Sequence, residues 1–137
     1  MLKEDEPMKI LLGYDGSNAA NDALNLTKKY AAAFGATVSV VTSMAKATEG
    51  DQEIILQAER ALQYAQSVFE KDKIDCNTHL LVRGLSTGED IVRFAADNGV
   101  DLIIVGVKRR SKVGKILLGS TAQYVIIKAP CPVLSVK

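Results

Sequence analysis

Apolar positions along the chain switch between short runs and a helical period, and turn or cap residues mark each switch. Met8 to Tyr14 (MKILLGY) is an apolar run closed by Asp15-Gly16-Ser17, a turn and cap cluster, and it reads as a strand. From Asn18 to Phe34 the stripe Ala20, Ala23, Leu24, Thr27, Tyr30, Ala31, Phe34 recurs at helical spacing. Ser17 or Asn18 can cap the start of this helix, and Gly35 suits the position just past its end. Ala36 to Ser43 is short and β-branched, a second strand, and the polar residues 44–51 form a loop. Residues 52–71 make a long amphipathic helix with Ile55, Ala58, Ala61, Leu62, Ala65, Val68 and Phe69 on one face.

Cys76 to Arg83 is a third strand. Ser86-Thr87-Gly88-Glu89 follows as a capping box, with Ser86 as cap and Glu89 reaching back to it. The helix it opens carries Ile91, Phe94 and Ala95, and Gly99 ends it. VDLIIVG, from Val100 to Gly106, is apolar on both faces and so should be an interior strand. A second capping box, Ser120-Thr121-Ala122-Gln123, predicts a helix capped by Ser120, bearing Thr121, Val125, Ile126 and Ala129 and stopped by Pro130. CPVLSVK closes the chain as a last strand. Strands that alternate with helices imply a parallel sheet with right-handed crossovers, hence a three-layer α/β sandwich with helices on both faces.

The 137 residues suit one domain, with no linker or repeat, and roughly two thirds of the unfolded surface can be buried at that length. At 47% hydrophobic and 24% charged, the composition is globular rather than disordered. A net charge of +1 does not point to nucleic acid or to a membrane surface as partner, so any basic site has to be local. The one dense basic cluster is Lys108, Arg109, Arg110, Lys112 and Lys115. The opening MLKEDEPMK lacks the apolar core of a signal peptide, no apolar run has the length of a membrane span, and Cys76 and Cys131 lack metal-ligand spacing. The expected setting is the cytoplasm, with both cysteines reduced and partly buried.

In an open α/β sheet, ligands bind beyond the carboxyl ends of the strands, where the strand order reverses. Four stretches fall there: Asp15-Gly16-Ser17, Thr42-Ser43, Gly84, and the segment from Gly106 onward. Asp15 could accept from a ribose or an adenine, or could satisfy backbone N–H groups of its own turn. Gly119-Ser120-Thr121 opens a helix, where unpaired N–H groups and the helix dipole attract an anion. Plain capping by Ser120 is compatible with that role. The standard phosphate motifs are missing: Gly114-Lys115 is followed by Ile116 and preceded at the P-loop glycine position by Arg109, and no G-x-G-x-x-G occurs. His79 is the single histidine and sits mid-strand, so neither a Ser-His-Asp nor a Cys-His set is visible.

KILLGYDGS, VDLIIVG, GKILLGSTAQYVI and APCPVLSV together carry a family signature. From about Met8 to Lys137 the chain resembles the universal stress protein family (the UspA domain). The resemblance implies a sheet of order 3-2-1-4-5, akin to adenine-nucleotide α-hydrolases, and a homodimer through the last strand. It also implies ATP, with Mg2+, as ligand, and a signalling or stress module with little or no hydrolysis rather than an enzyme. Family members that bind ATP carry glycine, two residues, glycine, nine residues, then glycine and Ser/Thr. On this chain the first glycine is Gly106 and the last pair is Gly119-Ser120, whereas the middle position is Arg109. Asp15 matches the family's adenosine-contacting aspartate, and Thr42 and Ser43 fall where members offer backbone to adenine.

Arg109 leaves two functions open. A non-glycine residue held in a left-handed conformation there costs roughly 1–2 kcal/mol, and a guanidinium–phosphate hydrogen bond contributes about 1.5–3 kcal/mol. The alternative to nucleotide binding is a nucleotide-independent dimeric interaction protein whose basic loop contacts a protein or another anion. A PP-loop pyrophosphatase needs S-G-G-x-D-S after the first strand, which GYDGSNA does not supply.

Overall fold

The strands are Lys9–Gly13 (β1), Thr37–Met44 (β2), Cys76–Val82 (β3), Leu102–Gly106 (β4) and Val133–Val136 (β5). The helices are Asn18–Phe34 (α1), Gln52–Lys71 (α2), Thr87–Asp97 (α3) and Ser120–Lys128 (α4). The computed structural model describes residues 6–107 and 118–137. All neighbouring strands are parallel, in the order β3-β2-β1-β4-β5. Among the described residues no helix is long and apolar enough to cross a membrane.

Alternation along the strands divides the core into two layers. Ile10, Leu12, Val38, Val40 and Ile104 face α1 and α2, where Ala23, Leu24, Leu62, Ala65 and Phe69 cover them. Leu11, Val41, Ile103 and Val105 face the other way, against Ile91, Phe94 and Ala95 of α3 and Val125 of α4. β1 and β4 are buried on both sides because both lie inside the sheet. Each fully buried Leu or Ile contributes about 1.5–3 kcal/mol by leaving water. Thr27 fits the apolar face of α1 because its hydroxyl donates to the Ala23 carbonyl at 2.7 Å.

Local signals place most helix ends. The Ser17 hydroxyl accepts from the Ala20 N–H, and Gly35, at φ 62°, closes α1. The Ser86 hydroxyl accepts from the Glu89 N–H, and the Glu89 carboxylate accepts from that same hydroxyl at 2.8 Å. The loop after β2 contains a single 3-10 turn, Glu49–Asp51, in which Thr48 and Asp51 hold each other.

Three expectations are corrected. Gly119, not Ser120, is the N-cap of α4: its extended backbone (φ −67°, ψ 160°) and its carbonyl, which accepts from the Gln123 N–H, put Ser120 inside the first turn. Ile126 is 43% exposed, because Ala122 and Val125 carry the buried stripe of α4. Phe34 is 58% exposed, because α1 reaches its last buried contact at Ala31.

Candidate functional site

β1 lies between β2 and β4, and the chain leaves those two strands toward opposite edges of the sheet. That reversal opens a crevice at the carboxyl ends. It holds a cavity of about 600 Å³, within the range of small-molecule sites. Each wall comes from a different element. Asp15 and Ser17 follow β1, Thr42 and Ser43 end β2, Thr87 and Ile91 belong to α3, and Gly106 ends β4. Gly119, Ser120 and Thr121, at the start of α4, complete it. The first turns of α1, α3 and α4 therefore share one cavity, and their dipoles add positive potential.

The floor is fixed by backbone pairing beyond the strand ends. The Tyr14 N–H donates to the Val41 carbonyl at 2.9 Å, and the Thr42 hydroxyl donates to the Tyr14 carbonyl at 2.6 Å. This places Asp15, whose Oδ1 accepts from the Ser17 N–H at 2.9 Å. The turn role of Asp15 and its place at the cavity wall coexist. The Tyr14 hydroxyl donates to Asn21 Oδ1 at 2.6 Å. Burial, then the nearby Tyr64 and Asp15, pushes the Tyr14 phenol above its usual range. A smaller cavity of about 250 Å³ shares Asp15, Thr42 and Ser43 and runs under α2 past Ile54 and Gln57.

The glycines differ in what they do. A Cβ on Gly106 would lie 2.5 Å from the carbonyl carbon and oxygen of Ala19 and 2.9 Å from the Ala20 nitrogen. Gly106 is thus a packing glycine that lets α1 cross the end of β4. Among the described residues a Cβ on Gly119 would meet nothing within 4 Å, and Gly119 lines the cavity. Gly16 and Gly84 do not line the main cavity; their positive φ values, 78° and 73°, make them turn residues. Arg109 and the rest of the basic cluster lie outside the described residues.

One group was not foreseen from the sequence. Asp90, on α3, is fully buried and takes Ser43 Oγ at 2.7 Å on Oδ2 and Arg83 Nε at 2.6 Å on Oδ1. Arg83 Nη2 also donates to the Asp90 carbonyl at 3.3 Å. The ends of β2 and β3 are thereby tied to α3 beside the cavity. The available signal was position: Asp90 is one turn before Phe94 and next to Ile91, on the buried face of α3. His79 is structural, with Nε2 2.7 Å from Asn77 Oδ1 and its ring centroid 4.9 Å from that of Phe94. Among the described residues no three metal-ligating side chains gather.

The profile of the universal stress protein family matches residues 7–137. The chain belongs to that family. A universal stress protein of Methanocaldococcus jannaschii is 34% identical, covering 94% of this chain and 81% of the relative. A universal stress protein structure from Archaeoglobus fulgidus is 35% identical with a TM-score of 0.86, covering 95% of this chain and 98% of the other. A second Archaeoglobus fulgidus structure is a universal stress protein in complex with dAMP, 32% identical with a TM-score of 0.81, covering 95% and 98%. The five-stranded order is shared with these universal stress protein structures. Within the family's glycine pattern, Gly106 and Gly119-Ser120 meet at one cavity although twelve residues of sequence separate Gly106 from Gly119.

Proposed function

We propose that the chain is an adenine-nucleotide-binding module of the universal stress protein family. The carrying observation is the cavity of about 600 Å³ at the strand-order reversal, where three helix starts and the bare Gly119 backbone converge. The dAMP complex of the related Archaeoglobus fulgidus protein supports the same ligand class. In this reading the first turn of α4, with Ser120 and Thr121, holds phosphate. Asp15 takes the ribose, and the end of β2, at Thr42 and Ser43, meets the base. Ser120 suits the role because Gly119 leaves its hydroxyl without a capping duty. The ligand is ATP, with Mg2+ carried chiefly on its phosphates, since Asp15 is the single carboxylate among the described lining residues.

The module binds with little or no hydrolysis. Asp15 and Tyr14 are the titratable side chains among the described lining residues, and Tyr14 is committed to Asn21. The reading places the protein in the cytoplasm, where its two free cysteines persist. A second copy pairs along β5, an edge strand of the sheet. The decisive measurement is calorimetric titration of ATP and AMP, with mass spectrometry of any nucleotide released on denaturation. No released nucleotide and no heat at millimolar ligand would refute the proposal.

Arg109, at the middle glycine position, motivates the second reading, a nucleotide-independent dimer. It gains if Arg109→Gly creates ATP binding that the parent lacks, and it loses if both bind alike.

A further inference from the structure

Thr42 and Ser43 are consecutive at the end of β2 and so project to opposite faces of the sheet. Ser43 lies on the face of Val41, which with Thr87 and Ile91 forms one wall of the main cavity. It also borders the smaller cavity. A hydroxyl has one proton and two lone pairs. The Ser43 proton goes to Asp90 Oδ2 at 2.7 Å. Asp90 does not reciprocate, because a carboxylate facing a guanidinium accepts only, and Arg83 Nε holds its other oxygen at 2.6 Å. Asp90 is fully buried on a helix, so this arrangement has little freedom to reverse. What Ser43 retains for a ligand is acceptor capacity alone.

We infer that Asp90, clamped by Arg83, is a positioning residue that makes Ser43 an acceptor-only group, and that the site thereby selects a base edge bearing an exocyclic amine over one bearing a carbonyl. The inference rests on the nucleotide reading above and adds to it the group that discriminates between bases. A carbonyl edge would meet lone pairs across the wall and leave both acceptors unpaired.

The same geometry predicts how the preference reverses. In Asp90→Asn, Arg83 keeps the amide oxygen as its acceptor. The amide nitrogen then occupies the Oδ2 position and donates to Ser43. The Ser43 proton turns outward, and the wall becomes a donor suited to a carbonyl edge.

The test is calorimetric titration of AMP and IMP, which exchange a 6-amine and bare N1 for a 6-carbonyl and N1–H, into the full chain and two variants, each checked by circular dichroism and thermal melting. The parent should prefer AMP by roughly tenfold, the worth of one hydrogen bond made or lost. Asp90→Asn should reverse the preference or bring it to parity, and Ser43→Ala should bring the two ligands within about threefold. An unchanged AMP preference in folded Asp90→Asn overturns the inference, because a purely structural loss weakens both ligands together. If Asp90→Asn does not fold, an unchanged preference in Ser43→Ala overturns it. A parent that binds AMP and IMP equally refutes the inference and leaves the nucleotide reading standing. A parent that binds neither refutes both.

Discussion

Replacing Gly106 with alanine tests how closely α1 crosses the end of β4. The added Cβ would sit 2.5 Å from the Ala19 carbonyl, whereas ordinary contact begins at 3.4 Å, so about 0.9 Å has to be found. The obstacle is backbone, so no side-chain rotation relieves it. Moving α1 outward would lift Ala20, Ala23 and Leu24 from the core. Overpacking typically costs about 1–3 kcal/mol, and a backbone obstacle on a helix with several buried contacts puts Gly106→Ala near the upper figure. At this chain length that corresponds to a melting decrease of roughly 10 °C. The assay is thermal melting followed by circular dichroism, with urea denaturation for the free energy. Gly119→Ala is the control: its φ of −67° suits alanine and no described residue lies within 4 Å of the added Cβ, so its stability should stay within about 1 kcal/mol of the parent. Its nucleotide affinity should fall by roughly tenfold or more as the methyl enters the cavity. If Gly106→Ala melts with the parent and loses only nucleotide, the packing account of Gly106 is wrong.

Ser17→Ala removes the acceptor for the Ala20 N–H and should lower stability by about 1 kcal/mol in urea denaturation. Asp90→Ala leaves Arg83 and Ser43 without their shared partner and should cost about 2–3 kcal/mol, below the range for fully buried pairs because Arg83 is 36% exposed and can rehydrate. Burial, reinforced by Glu70 and Asp75, pushes the Cys76 thiol from 9.0 up to about 12. Between those values the unfolded chain loses the proton while the folded chain keeps it, so this contribution to stability is whole below 9.0 and falls as pH rises through the window. Iodoacetamide at about pH 8 should therefore label Cys76 slowly until denaturant is added, and rapid labelling of the native chain would contradict the burial.

The bounds of α1 follow from its own residues, since Ser17 and Gly35 are local devices that act regardless of what packs above them. The burial of β1 on both faces is equally local, since ILL is apolar throughout, whereas VSVV shows a polar position only at Ser39. Non-local effects escaped. Ser120 has the residue type of a cap, yet the extended Gly119 takes that position, because the cap is defined by which carbonyl begins the helix. Ile126 is apolar but exposed, because α4 turns Ala122 and Val125 to the core. Gly106 was legible as a glycine near a ligand edge, whereas its clash with Ala19 depends on a helix many residues earlier in the chain. The Ser43–Asp90–Arg83 set spans three elements, and only the misplaced charge on the buried face of α3 announces it.

The central pairing of β1 with β4 is also the most distant one in the chain. Beside it, the Lys9 N–H meets the Asp101 carboxylate across 92 residues of sequence. The first three strands pair in chain order, each with its successor, and need only nearby contacts to do so. The last walls of the cavity, Gly106 and the start of α4, arrive after a slow, entropically costly closure. During synthesis, the amino-terminal half can take up its layers while the cavity does not yet exist. Any chain released before the fourth strand is complete lacks the site however well its first half has formed, so ligand uptake would mark the moment at which β4 and the start of α4 are in place.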